Sequence, residues 1–106
     1  MTDKVVAYTT CDDPEEAEKL ARHLIDERLA ACVTVVPGVK SYYRWKGGVE
    51  SDDEILLMIK TSSDLVDAVG QQLDKLHTYD LPELIVTPIV DGSPNYLAWL
   101  ETELAD

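Results

Sequence analysis

The stretch LHTYDLPEL, residues 76–84, sets one imidazole and two carboxylates close together: His77, Asp80 and Glu83. Imidazole with carboxylate suits Cu(II), Zn(II) or Ni(II), and copper leads on intrinsic affinity. Cys11, just after the first strand, offers a thiol that a split βαβ fold would hold in the same sheet as the strand following Glu83. A plainer reading is open for each. A histidine at a helix C-terminus caps the last carbonyls and favours the dipole, and Glu83 could pair with Lys60. Lys60 ends an apolar run, so its ammonium needs an acceptor or water. With Tyr79, Trp45 and Glu83 it would line an inter-subunit cleft for a small anion or metabolite; otherwise it is a structural ion pair. No catalytic residue is expected. The histidines are His23 and His77 alone, which leaves no credible Ser-His-Asp set. There is no glycine-rich phosphate loop, no nucleophile elbow, and no Cys-x-x-Cys in TTCDDP. No cofactor is obligatory, and Cu(II) or another divalent cation is what the donors would take.

These residues must be positioned by regular elements. Residues 4–10 read as a strand. Asp13 is an N-cap, with Pro14 at the first helical position and Glu16 placed for a capping box. Ala17, Leu20, Ala21, Leu24, Ile25 and Arg28-Leu29 then follow helical spacing. A second strand runs from Ala31 or Cys32 to Trp45, bent or bulged at Pro37-Gly38 because proline cannot donate to a ladder. Gly47-Gly48 makes a hairpin turn. The third strand runs from Val49 to Lys60, and its continuous ILLMI predicts burial on both faces. Thr61–Ser63 cap a second helix carrying Leu65, Val66, Val69, Leu73 and Leu76. LIVTPIV is a fourth strand, and Ser93-Pro94 starts a third helix. The order β-α-β-β-α-β plus a C-terminal helix is the α+β, ferredoxin-like split βαβ arrangement, in one domain over residues 1–106.

Twenty-one acidic residues against nine basic ones give a net charge of −12. Such a surface repels nucleic acid, whose recognition needs Lys and Arg at phosphates, and it disfavours anionic membrane. It attracts cations. Asp outnumbers Glu and Lys is scarce, a balance that also suits a high-salt cytoplasm. Met1–Lys4 runs directly into VVAY, with no leader pattern, and no apolar run nears the roughly 20 residues of a membrane span. Two cysteines make no disulfide framework, so free thiols and a cytoplasmic location are expected.

SYYRWKGGVESDDE concentrates Tyr42, Tyr43 and Trp45 beside the turn, three of the seven aromatic residues of the chain. Strands of about a dozen residues reach about 40 Å, whereas a domain of this size has a radius of gyration near 13 Å. The outer half of the hairpin should therefore project, and isolated hairpins are marginal. Pairing with further copies of the same chain is the economical outcome, with these three aromatics at the interface.

The segments ERLAACVTVVPGVKSYYRWKGGVESDDEILLMIKT and LHTYDLPELIVTPIVDGSPNYLAWL carry LAACV, PGV, Y-x-W-K-G, E-x-x-L-x-I-K-T and H-x-Y-x-x-P-E-L in order. In these motifs the chain resembles the CutA divalent-cation tolerance family over nearly its whole length. The resemblance implies a homotrimer of ferredoxin-like subunits, similar in shape to PII signalling proteins, with hairpins building inter-subunit sheets. It implies tolerance of divalent metals, copper especially, without enzymatic activity. An alternative it leaves open is a PII-like signalling or scaffold trimer whose clefts hold a small molecule or a partner segment. Two departures stand out. Thr9 lies where some bacterial relatives have cysteine at the end of strand one, and the common His-Pro-Tyr is His77-Thr78-Tyr79.

Overall fold

The computed structural model describes residues 2–105. In chain order the elements are β1 (Lys4–Cys11), α1 (Pro14–Asp26), β2 (Cys32–Trp45) and β3 (Gly48–Ser62). A single 3-10 turn at Ser63–Leu65 leads into α2 (Val66–Leu76), then β4 (Ile85–Pro88) and α3 (Pro94–Glu103). The four strands form one antiparallel sheet in the order β2-β3-β1-β4. This is the expected split βαβ topology. Its core lies between the sheet and two helices: Ala7 and Cys11 of β1, Ile55, Leu57 and Ile59 of β3, Leu20 and Leu24 of α1, and Val69 and Leu73 of α2.

The starts of the helices follow the local chemistry. Asp13 caps α1 by accepting from the Glu15 amide, and Ser93 caps α3 by accepting from the Tyr96 amide. The capping box does not close, however. Glu16 turns away from its own helix end to bind Thr78, as described below. The second helix also starts later than expected, because Ser62–Leu65 first form the tighter turn, with the Ser62 hydroxyl on Asp64 instead of on an amide.

The long hairpin has the expected bulge, a register shift between Val36 and Val39, with Gly38 at φ 75°. Its turn sits one residue earlier than Gly47-Gly48. Trp45 pairs with Gly48, so Lys46 and Gly47 are the loop residues, at φ 49° and 84°. Positive φ at both positions is the type I′ geometry that matches strand twist. The ILLMI run is not buried on both faces of a single chain. Ile55, Leu57 and Ile59 are buried, while Leu56 and Met58 are only half-buried. LIVTPIV contributes four strand residues instead of seven, ending at Pro88, whose nitrogen has no proton to donate.

β1 pairs with β3 only from Ile55 to Ser62. Beyond Glu54 the hairpin is therefore a two-stranded ribbon, and it stretches the molecule to 45 × 25 × 23 Å. Tyr42, Tyr43 and Trp45 stand on this ribbon 71%, 40% and 50% exposed.

Candidate functional site

The loop between α2 and β4 carries most of the residues that the sequence singles out, and a shortfall in the sheet shapes it. β4 pairs with Val5–Tyr8 and stops, which leaves the β1 edge beyond Tyr8 without a strand. His77 takes over there. Its Nε2 donates to the Thr10 carbonyl at 2.6 Å, and its Nδ1 accepts from the Tyr79 amide at 3.0 Å. These two bonds place the ring proton on Nε2 and use both nitrogens. The imidazole is buried, 3.3 Å from a carboxylate oxygen of Glu16. Glu16 in turn accepts from the Thr78 amide at 3.0 Å and the Thr78 hydroxyl at 2.9 Å, tying the loop to the first turn of α1.

Tyr79 continues the chain of contacts. Its ring lies 4.6 Å from that of His77, and its hydroxyl donates to Glu54 Oε2 at 2.8 Å. Burial, and then the Glu54 carboxylate, push this phenol well above its ordinary range. Next to it, the Tyr43 hydroxyl donates to Asp52, which drives Tyr43 up to about 12.

Between loop and ribbon lies a cleft of about 610 Å³. Tyr79, Asp80 and Glu83 enter it from the loop, and Tyr42, Tyr43 and Trp45 from the ribbon. Asp52 and Glu54 of β3 complete an acidic wall, and none of its lining residues is basic. Trp45 and Tyr79 both line this cleft within one chain. Lys60 does not join them within one chain. It points from the opposite end of β3 toward Thr34 Oγ1 at 3.4 Å and Cys32 Sγ at 3.8 Å, with the Tyr96 ring 6.0 Å away. Within one chain this cleft attracts cations, and no Lys60–Glu83 ion pair forms among the described residues.

The proposed metal donors are likewise dispersed. Cys11 is fully buried, donates to the Asp13 carbonyl at 3.8 Å, and burial pushes its thiol up to about 11. His77 is committed to Thr10 and Tyr79, while Asp80 and Glu83 are exposed in the cleft. Among the described residues no three His, Cys, Asp or Glu side chains are grouped so as to hold a metal ion. Sequence reasoning took Glu16 for a capping-box residue and Glu54 for the first residue of E-x-x-L-x-I-K-T, and gave neither a place in the site. Glu54 had one signal: it directly precedes ILLMI, so the strand carries it from the ribbon into the body of the sheet.

Residues 5–103 match the family model described as CutA1 divalent ion tolerance protein. The chain is 42% identical over 95 residues to the divalent-cation tolerance protein CutA of Thermus thermophilus, covering 90% of this chain and 92% of that protein. Against "Protein CutA, chloroplastic" of Arabidopsis thaliana the identity is 45% over 97 residues, 92% of this chain. The chain spans 53% of that longer relative, about half its length. The crystal structure of CutA from Xylella fastidiosa superposes with a TM-score of 0.95 at 45% identity, covering 98% of this chain and all of that one. The chain belongs to the CutA1 divalent ion tolerance family.

Proposed function

We propose that the chain works as a homotrimeric, non-enzymatic divalent-cation tolerance protein of the cytoplasm. The observation that carries the assembly is the two-stranded ribbon beyond Glu54, which has no third strand and exposes Tyr42, Tyr43 and Trp45. Aromatic area of this kind is worth about 2 kcal/mol per ring when covered, and a closed ring of subunits pairs strand edges that would otherwise invite open-ended association. β4 supports the same reading, since Ile85 and Val86 are exposed. Of the divalent ions, Cu(II) is proposed on its intrinsic affinity. With the His77 ring occupied and Cys11 sealed, it would meet exposed carboxylates weakly. Such binding suits exchange and tolerance better than a resident centre.

Light scattering tests this reading. The mass should be near three times 11.8 kDa, and serine at Tyr42, Tyr43 and Trp45 together should lower it. Cu(II) titrated into the same sample should bind weakly and lose affinity with added salt. A chain that runs as a monomer at micromolar concentration refutes the trimer, and tight stoichiometric Cu(II) uptake refutes the diffuse metal reading. A second reading, a signalling or scaffold trimer that holds a small molecule, is favoured by the cleft of about 610 Å³, within the usual range of ligand sites.

A further inference from the structure

Asp91 is the one aspartate of the chain that glycine follows, and the pair falls in the connection between β4 and α3. Asp91 and Gly92 are both exposed and lie outside every helix and strand. The Gly92 amide enters neither the sheet nor the α3 cap. It donates instead to the side chain of Asp91 itself, to Oδ1 at 2.8 Å. Among the described residues no ion pair draws the Asp91 carboxylate elsewhere. Other aspartates are engaged: Asp13 by the Glu15 amide, Asp53 by Lys40 and Asp64 by the Ser62 hydroxyl.

That contact sets a nucleophile beside an electrophile. The Gly92 nitrogen is held against the carboxyl group whose carbon, Cγ, it must reach to close a five-membered ring. Holding two reacting groups together removes much of the entropic part of a barrier. Glycine lowers the steric part, since it has no Cβ to crowd the ring and turns freely into the conformation that closure needs. At every other aspartate of the chain with a following residue, that residue carries a side chain.

We propose that Asp91 is a self-modifying site, where isoaspartate forms without an enzyme. The Gly92 nitrogen bonds to Asp91 Cγ, its proton and the carboxyl hydroxyl leave together as water, and a succinimide remains. Water then adds at one of the two ring carbonyls. Opening at Cγ restores aspartate. Opening at the main-chain carbonyl of Asp91 leaves the chain running through Cγ, one methylene longer, with the α-carboxylate free. One water is lost and one regained, so no oxidant or co-reactant enters. The extra methylene falls just before Ser93, which caps α3 by accepting from the Tyr96 amide. It therefore displaces the cap of a helix whose Leu100 is fully buried. The freed α-carboxylate stands on an exposed loop, where a carboxyl methyltransferase can reach it.

The test ages the full chain for weeks at physiological temperature and maps its peptides. Isoaspartate is read in two ways: by transfer of a labelled methyl group from S-adenosylmethionine with purified isoaspartyl methyltransferase, and by resistance of the Val90–Asp91 bond to an aspartate-specific protease. Asp91 is expected to be the dominant site. G92A should slow the reaction roughly tenfold, equivalent to about 1.4 kcal/mol on the barrier. That variant should fold like the parent, because a methyl group at Gly92 meets Leu97 at an ordinary 3.5 Å. D91E, whose ring needs one more atom, should abolish it, whereas D91N, which releases ammonia in place of water, should speed it. Isoaspartate at Asp91 no more abundant than at the other aspartates overturns the proposal. So does a G92A chain that ages as fast as the parent.

Discussion

Thr9 faces the core at zero exposure, opposite Leu57 in the sheet, and its hydroxyl has no partner among the described residues. Leaving such a group unpaired costs about 1–3 kcal/mol, whereas a methyl of the same shape in its place can be neutral or stabilising. Valine also keeps the branched Cβ that strands favour. Thr9→Val should therefore stabilise the fold by about 1 kcal/mol, an upward shift in melting temperature of about 4–8 °C for a domain of this size. A lower melting point would mean that the hydroxyl finds a partner in solution. Cys11, two residues on, is fully buried with its thiol pushed to about 11. Its folded-state value lies above the ordinary 9.0, so the contribution is intact below that pH and fades as pH rises through about 11.

Among the elements, the junction between α1 and α3 carries an unusual residue. Arg28 takes φ 58° just past the helix end, a place where glycine is the common choice. Its guanidinium explains why arginine stands there: Nη2 donates to the Thr102 carbonyl at 2.9 Å and Nε to the Glu103 carbonyl at 3.1 Å. These bonds satisfy acceptors that the last turn of α3 leaves open, and the Ala105 amide returns one to the Arg28 carbonyl. Arg28→Ala keeps the backbone cost and loses the clamp, so it should destabilise by about 1–2 kcal/mol. Arg28→Gly should cost less by about 1 kcal/mol. Equal losses in denaturant melts would show that the left-handed backbone is not strained.

What the sequence made legible was mostly local. The Asp13 cap, the Pro37-Gly38 bulge and the order of elements each depend on residues near one another in the chain. The turn was displaced because Gly47-Gly48 looks like the flexible pair, while pairing of Trp45 with Gly48 forces Lys46 to take positive φ. The site depended on distant contacts. His77 meets Thr10 across 67 positions and Tyr79 meets Glu54 across 25, and no periodicity encodes either. The charge of DDE at 52–54 was visible, but not that burial would single out Glu54.

For the whole molecule, a net charge of −12 is opposed by few ion pairs among the described residues, the Lys4 bridges to Asp3 and Glu101 being the most buried. If the acid is an adaptation to salt, self-repulsion should be relieved by screening, and the melting temperature should climb with KCl toward molar levels. A flat or falling curve sinks that idea. The strand order has a separate consequence, in time. β1 is synthesised first, yet its partners are β3, complete only at Ser62, and β4, complete at Pro88. At about 5–20 residues per second, β1 waits on the order of seconds for its first neighbour. β2 and β3 need only a two-residue turn to meet, and such local contacts close fastest. The ribbon is therefore the earliest sheet structure of the four strands, and β1, one of the two central strands of the finished sheet, is the last of them to have both neighbours.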